Sequence, residues 1–188
     1  MASAAAQAVL DLALRDQPGM EGGFWRADAG VVAYAFPTYD GTGIKRDPPS
    51  AELERIADMA QRALDMMIEY APQRMTFGQR LSDRQAIQWW VADAATRIHA
   101  ARLMTYDCAW KLDTGRDVRQ EISMIKAYAT EMAWDVVDHA MQTFGAMGMT
   151  KELPLQLMAS RLRTMRIYDG PTEVHKWVVA RNLMGSRR

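Results

Sequence analysis

The sequence comprises 188 residues, of which 49% are hydrophobic and 24% are charged. That composition is typical of a globular domain with a substantial core and excludes a disordered chain. Lysine plus arginine and aspartate plus glutamate both number 23, so the formal net charge is zero, which argues against broad electrostatic binding to nucleic acid. The single cysteine, Cys108, excludes an internal disulfide and fits a reducing cytosol. No run of about 18 apolar residues occurs, so we expect a cytoplasmic protein without a membrane span.

The first part of the chain, residues 1–50, differs in composition from the rest. Glycine and proline cluster between Gln17 and Ser50, as is typical of loops. Residues 31–36 are apolar enough for a short strand, but no partner strand is evident. We therefore predict an irregular, loop-rich N-terminal arm over residues 1–50.

From Ala51 onwards the pattern becomes helical, because apolar residues recur at steps of three and four. A capping box at Ser82 predicts the start of the second helix. Short connections indicate that neighbouring helices are antiparallel. The prediction is an all-α, up-and-down helical bundle of about five helices over residues 51–188, with almost no sheet. The predicted helices are about Ala51–Tyr70, Ser82 to just before Gly115, about Asp117–Thr143, about Glu152–Ile167 and Pro171–Met184.

An acidic break follows the fourth predicted helix, where Asp169 precedes Gly170 and Pro171. A carboxylate at such a break, beside a glycine that lets a ligand approach closely, is one way to present an acid at a pocket. The ordinary alternative is that Asp169 or Gly170 caps the last helix, with Glu173 in its first turn favoured by the helix dipole. These residues by themselves favour the cap, because capping signals are common.

Two other breaks between helices combine small and polar residues. One covers residues 74–78 together with Gln85, and the other covers residues 142–148. Unpaired N–H groups at helix ends and close backbone approach favour an anionic or hydrogen-bonding ligand, although each break on its own is typical of an ordinary turn. The histidines are not spaced as metal ligands, so we expect no metal site.

Taken together, these motifs resemble one known family. The four motifs, in chain order, are Gln61-Arg62-Ala63-Leu64-Asp65, Arg74-x-Thr76-Phe77-Gly78-x-x-Leu81-x-x-x-Gln85, Gln142-x-x-Gly145-x-x-Gly148 and Tyr168-Asp169-Gly170-Pro171-Thr172-Glu173-Val174-His175. Their order and spacing are similar to those of the C-terminal helical domain of an acyl-CoA dehydrogenase, over roughly Ile56 to Gly185. Because Asp169 stands where most of the family has glutamate, the sequence is similar to the branch with an aspartate at the position of the catalytic base.

The resemblance implies an FAD-dependent enzyme that oxidises the Cα–Cβ bond of an acyl-CoA thioester. In such an enzyme a carboxylate removes the α proton while a hydride passes from Cβ to the flavin. By the resemblance, Asp169 is the catalytic base, and Tyr168 and Gly170 bind the substrate. The residues that the resemblance assigns to FAD are Arg74, Thr76, Phe77, Gln85, Gln142, Thr143, Phe144, Gly145, Ala146, Pro171, Thr172 and Glu173.

The resemblance also implies partners. Arg74 and Gln85 are expected to hold FAD phosphates or adenosine, and residues 142–146 are expected to reach the FAD of a neighbouring subunit in a homo-dimer or tetramer. The tryptophans lie either in such subunit contacts or in the core of one chain. Those in question are Trp89, Trp90, Trp134 and Trp177.

The family carries an N-terminal helical domain and a central β-domain before this bundle, for which the chain has no room. Residues 1–50 resemble neither of them. We therefore expect a truncated form of the enzyme, or a partner chain that supplies the two domains. The alternative is a non-catalytic helical oligomerisation module that kept the fold and lost the activity.

Overall fold

The computed structural model describes residues 50–185, with side chains from residue 55 onwards. Within these residues the chain forms five α-helices, one short β-hairpin and two 3-10 helices. The predicted all-α helical bundle is confirmed. The predicted arm lies outside the described residues except for Ser50, which begins the first helix. The helices are α1 (Ser50–Tyr70), α2 (Gln85–Asp113), α3 (Arg119–Phe144), α4 (Leu155–Met165) and α5 (Thr172–Met184), and the strands are β1 (Met75–Thr76) and β2 (Gln79–Arg80).

Side-chain pairs between α2 and α3 show how these two helices run. Trp90, near the start of α2, stacks on His139, near the end of α3, with ring centroids 4.5 Å apart. Lys111, near the end of α2, lies 2.8 Å from the Glu121 carboxylate at the start of α3. The two helices are therefore antiparallel, as the short connection between them predicts.

Helix α3 is the centre of the bundle and contacts each of the other four α-helices. It therefore buries two lines of residues, the predicted apolar stripe with Ile125 and Met132 and a second line with Thr130 and Val137. Burial of apolar surface, at about 25 cal/mol per Å², is the main favourable term for such a core. The largest fully buried side chains are Ile56, Leu64, Met67, Ile98, Ile125, Met132, Leu155, Leu162, Val136, Val137 and Thr130.

A β-hairpin that the sequence did not predict joins α1 to α2. Strands β1 and β2 pair antiparallel, with Thr76 opposite Gln79. Phe77 and Gly78 form the turn between them, with φ of 49° and 74°. The type I′ turn of a two-residue hairpin needs positive φ at both central residues. Phenylalanine is unusual there, so the sequence carries only a weak hairpin signal.

The predicted capping box at Ser82 is wrong. Residues Leu81–Asp83 form a 3-10 helix, and α2 begins only at Gln85. The N-cap of α2 is Arg84, which makes no side-chain capping bond. The reason is tertiary, because the Ser82 N–H donates to the Ala71 carbonyl oxygen at 3.1 Å and thereby ties this segment to the end of α1.

The segment between α4 and α5 also differs from its prediction. Helix α4 is shorter than predicted at both ends, and α5 begins at Thr172 with Pro171 as its N-cap and no side-chain capping bond. The interpretation of Asp169 or Gly170 as the cap of the last helix is therefore wrong. Both residues have positive φ instead, and they turn the chain between the two helices.

Candidate functional site

Asp169 lies in the break between α4 and α5 in an unusual backbone conformation. Its φ is +54°, and the φ of Gly170 is +89°. A left-handed residue other than glycine costs on the order of 1 kcal/mol, although aspartate tolerates the conformation better than most residues. Asp169 is half-buried, and its Oδ2 atom is shielded from solvent. This oxygen of the acid therefore faces protein rather than bulk water.

His175 contacts the backbone of Asp169 from the first turn of α5. Its Nε2 lies 3.1 Å from the Asp169 carbonyl oxygen. Because a carbonyl oxygen only accepts hydrogen bonds, Nε2 carries a proton and donates it. Burial lowers the pKa of His175 below its ordinary value of 6.5, the hydrogen bond to Asp169 opposes this, and the charge of Lys126 lowers the pKa further. The ring is therefore neutral near neutral pH, with its proton on Nε2.

A buried lysine lies beside the same break. Lys126 of α3 is 7% exposed, and its Nζ lies 4.8 Å from the centroid of the Tyr168 ring. This distance is within the range of a cation–π contact. Because a buried ammonium group is costly to desolvate, its place here reflects its charge rather than core filling. The contact connects α3 to the residue that directly precedes Asp169.

Ion pairs hold the two helix ends that flank the break. Arg166 Nη2 lies 3.4 Å from Glu131 Oε1, and Lys176 Nζ lies 4.0 Å from the same oxygen. Glu131 of α3 thus connects the end of α4 and the start of α5. Since both pairs are partly exposed, each contributes about 1 kcal/mol or less. Their main effect is to orient the helix ends.

The N-terminus of α5 presents polar groups next to Asp169. Thr172 is 5% exposed, and its Oγ1 is buried without a hydrogen-bond partner among the described residues. Backbone N–H groups in the first turn of a helix have no partner within the helix and carry a partial positive charge. Pro171 is half-buried and Glu173 is exposed. These groups fit a ligand that offers hydrogen-bond acceptors.

The remaining predicted cofactor residues lie at one end of the bundle, where α1 and α3 end side by side. Tyr70 at the end of α1 stacks on Phe144 at the end of α3, with ring centroids 4.1 Å apart. This contact brings the hairpin after α1 close to the residues that end α3. Phe77 at the hairpin tip is 99% exposed. The other exposed residues of this group are Arg74, Gln85, Gln142, Gly145 and Ala146.

Three members of this group serve the fold as well. The Thr76 carbonyl oxygen accepts a hydrogen bond from Arg84 Nη2 at 2.8 Å, which fastens β1 to the start of α2. The Thr143 hydroxyl donates to the His139 carbonyl oxygen at 2.8 Å within α3. Phe144 is held by its stacking on Tyr70. Thr143 and Phe144 thus have a structural role for their side chains, whereas the Thr76 contact uses only the backbone.

The structure does not bring the two groups of predicted site residues together. Lys126 marks the position of the Asp169 break along α3, and Phe144 marks the hairpin end. At about 1.5 Å per residue these two positions lie roughly 27 Å apart along the helix. The predicted residues therefore form an Asp169 group and a separate hairpin-end group.

Sequence reasoning missed the role of Lys126. The sequence does contain a signal, because one line of residues recurs at steps of four and three and includes a lysine. The structure buries all four residues of that line, which are Lys126, Thr130, Ala133 and Val137. A single charged residue on such a line marks a place where the interior of the bundle is polar. The hydrogen bond of His175 to Asp169 left no comparable signal, because it depends on the conformation of the turn.

Two further features are absent from residues 50–185. No cluster of three or more histidine, cysteine, aspartate or glutamate side chains in this range could hold a metal ion. None of the helices in the same range combines the length and apolarity needed to cross a membrane.

Comparison with known proteins gives a family for this fold. Residues 54–184 match the family model described as acyl-CoA dehydrogenase, C-terminal domain. The chain is 37% identical to (R)-benzylsuccinyl-CoA dehydrogenase of Thauera aromatica over 161 residues, which are 85% of this chain and 39% of that protein. The 161 matched residues outnumber residues 54–188, so the match includes part of the chain before residue 54.

Solved structures agree with this family. Butyryl-CoA dehydrogenase from Megasphaera elsdenii superimposes with a TM-score of 0.68 and 29% identity, over 72% of this chain and 36% of that one. A structure of PigA with FAD and proline gives a TM-score of 0.68 and 30% identity, over 72% of this chain and 35% of that one. The chain thus spans well under half the length of these proteins. It belongs to the acyl-CoA dehydrogenase family, whose C-terminal domain it contains.

Proposed function

We propose that this chain provides the C-terminal helical domain of an FAD-dependent enzyme that dehydrogenates an acyl-CoA thioester between Cα and Cβ, with Asp169 as the catalytic base. The observation that carries the proposal is the placement of Asp169. Its side chain is half-buried at a break between two helices, in a left-handed conformation that is retained at a cost. Strained residues of this kind cluster at active sites and ligand clamps.

The chemistry assigned to Asp169 is removal of the α proton. The Cα–H bond breaks, the proton moves to a carboxylate oxygen, and the electron pair remains on the substrate to form the Cα–Cβ double bond. A base of this kind must be aimed at one carbon and shielded from water. The shielding of Asp169 Oδ2 supports this role. Tyr168 and Gly170, on either side of Asp169, are proposed to contact the substrate.

The groups around α5 fit FAD. Thr172 Oγ1 is buried without a partner among the described residues, and it stands at a helix N-terminus that favours acceptor oxygens. We assign Pro171, Thr172 and Glu173 to the cofactor on this basis. When FAD is bound there, it accepts the hydride that leaves Cβ.

The hairpin-end group is assigned to a different FAD molecule, that of a neighbouring subunit. The roughly 27 Å along α3 between Lys126, beside the Asp169 group, and Phe144 supports separate ligand contacts. Arg74 is exposed and carries the fork that pairs with phosphate oxygens. The rest of the assigned group is Thr76, Phe77, Gln85, Gln142, Thr143, Phe144, Gly145 and Ala146.

A homo-dimer or tetramer follows from this assignment. Trp89 is 61% exposed and Trp177 is 56% exposed, while Trp90 and Trp134 pack against the core. The first two are therefore the tryptophans proposed for subunit contacts. The branch with an aspartate as base, a cytoplasmic location and the absence of nucleic-acid binding are part of the same proposal.

The test is to purify the chain, add FAD, and record the flavin spectrum before and after addition of an acyl-CoA. The proposal expects a bound flavin spectrum that the acyl-CoA bleaches, either with this chain alone or after addition of a second chain that carries the other domains of the family. Absence of flavin binding and bleaching in both preparations would leave the non-catalytic oligomerisation module as the better account.

A further inference from the structure

The backbone of Asp169 has a left-handed conformation that costs free energy. Its φ of +54° is followed by a φ of +89° at Gly170. Relaxation of Asp169 to a right-handed φ near about −60° would recover on the order of 1 kcal/mol and would swing its Cβ and carboxyl group in another direction. Whatever holds this residue left-handed therefore also aims the acid.

The structure shows a restraint on Asp169 from α5. The Nε2–H of His175 donates to the Asp169 carbonyl oxygen at 3.1 Å. His175 is itself held by its place in the first turn of α5, where its backbone N–H donates to the Pro171 carbonyl oxygen at 3.3 Å. His175 is 4% exposed, so its ring has little freedom to turn away. The bond thus ties the peptide after Asp169 to a rigid helix.

Tyr168, the residue before Asp169, is held in place by a contact with α3. Lys126 is 7% exposed and lies over the Tyr168 ring, with Nζ 4.8 Å from the centroid. The Tyr168 N–H also donates to the Thr164 carbonyl oxygen at 3.1 Å, at the end of α4. With Tyr168 fixed in this way, the bond from His175 acts on the next residue, Asp169.

We infer that His175 is a positioning residue, which aims the Asp169 carboxyl group by holding the Asp169 carbonyl oxygen with its Nε2–H. The inference rests on the proposed function, because only a base needs to be aimed at one carbon. It assigns no proton transfer to His175 itself. A displacement of about 1 Å at a reacting group can lower a rate by roughly 100-fold, so a tie of this kind has catalytic consequences.

The first test is made on the wild-type chain by NMR of its histidine side-chain nitrogens. For His175 we expect the neutral tautomer with its proton on Nε2, and slow exchange of that proton with water. The three-bond coupling between the amide proton and Hα, together with the short distance between these two protons that a positive φ gives, should show a left-handed φ at Asp169. A proton on Nδ1, or a right-handed Asp169, would overturn the inference whatever the protein catalyses.

The second test uses two variants with opposite properties. His175→Gln keeps an N–H donor on a side chain of similar reach, and His175→Leu keeps an apolar side chain but has no donor. We expect the glutamine variant to retain the left-handed coupling of Asp169 and the leucine variant to lose it. If His175 only filled space, the leucine variant would retain the coupling at least as well as the glutamine variant, and the inference would be wrong.

The third test measures the activity of the same two variants. It uses whichever preparation shows flavin bleaching by acyl-CoA, this chain alone or this chain with its partner. We expect His175→Leu to lower kcat by about 10- to 100-fold with unchanged flavin content, and His175→Gln to stay within about threefold of wild type. Equal rates in both variants would contradict the inference. A wild-type protein that is never bleached would instead refute the proposed function, while the NMR tests would still decide on His175.

Discussion

Gly148, the last glycine of the Gln142-x-x-Gly145-x-x-Gly148 motif, is predicted to be essential for the packing of the hairpin end. A Cβ built at this position lies 2.5 Å from the Met141 carbonyl oxygen and 2.8 Å from the Met141 Cα. Carbon atoms in ordinary contact stay at about 3.5 Å or more, so a Gly148→Ala substitution must move the backbone by up to about 1 Å. The contacted atoms are backbone, so no side chain can turn aside.

The expected cost follows from this overlap. Overpacking of a close-packed interior costs about 1–3 kcal/mol, and a clash with backbone belongs at the upper end of that range. For a domain of this size each kcal/mol lowers Tm by roughly 2–4 °C, so we expect a decrease of about 6–12 °C. The free energy of unfolding is measured by urea denaturation followed by far-UV circular dichroism, and Tm by a thermal scan of the same samples.

Gly115→Ala is the matched control. Gly115 has a φ of +74° but nothing within 4 Å of a built Cβ, so its substitution adds backbone strain without overlap. We expect a loss of about 1 kcal/mol for the control. If Gly148→Ala were no more destabilising than Gly115→Ala, the close approach between Gly148 and Met141 would not be the reason for the glycine.

Three further predictions concern stability. Leu162→Ala should lower the free energy of unfolding in urea by about 2–5 kcal/mol, because Leu162 is 0% exposed. Leu157 on the same helix is 56% exposed, so Leu157→Ala should change stability by less than about 0.5 kcal/mol. Similar costs for the two variants would contradict the assigned core. Asp58→Asn should cost less than about 1 kcal/mol, since its 2.7 Å ion pair with Arg102 leaves the Asp58 side chain 61% exposed, and a larger loss would show that the pair is more than a surface contact. Burial raises the pKa of the Cys108 thiol from 9.0 to about 12, so the stability that this thiol contributes is fully present below pH 9 and is lost as the pH rises towards 12. Between about pH 8 and pH 11, Cys108→Ala should therefore lose less stability than wild type. Parallel profiles of stability against pH would refute this.

The helical part of the fold could be predicted because it depends on local spacing. Ile98, Ile125 and Met132, which lie on the predicted steps of three and four, are all buried. The capping box at Ser82 failed because the end of α1 holds the Ser82 N–H, and contacts across the fold override local preference. The hairpin was not predicted because its turn places Phe77 in a left-handed conformation, which is unusual for phenylalanine.

The candidate site was predictable only where it consists of motifs. Asp169 and the residues after it could be singled out because an acid, a glycine and a proline adjoin in the sequence. Lys126 and Glu131 could not be assigned to the same place from spacing alone, because they reach the break from the middle of α3. Their relation to Asp169 depends on how α3 packs against α4 and α5.

The proposed function assigns removal of the α proton of an acyl-CoA thioester to the Asp169 carboxylate. The most direct measurement is the exchange of that proton for deuterium when the FAD-loaded protein is incubated with an acyl-CoA in D₂O. We expect exchange with wild type and with the exposed control Asp93→Asn. We expect none above background with Asp169→Asn, because the amide cannot accept the proton. Exchange at the wild-type rate by Asp169→Asn, with helicity and flavin content unchanged, would show that another group is the base.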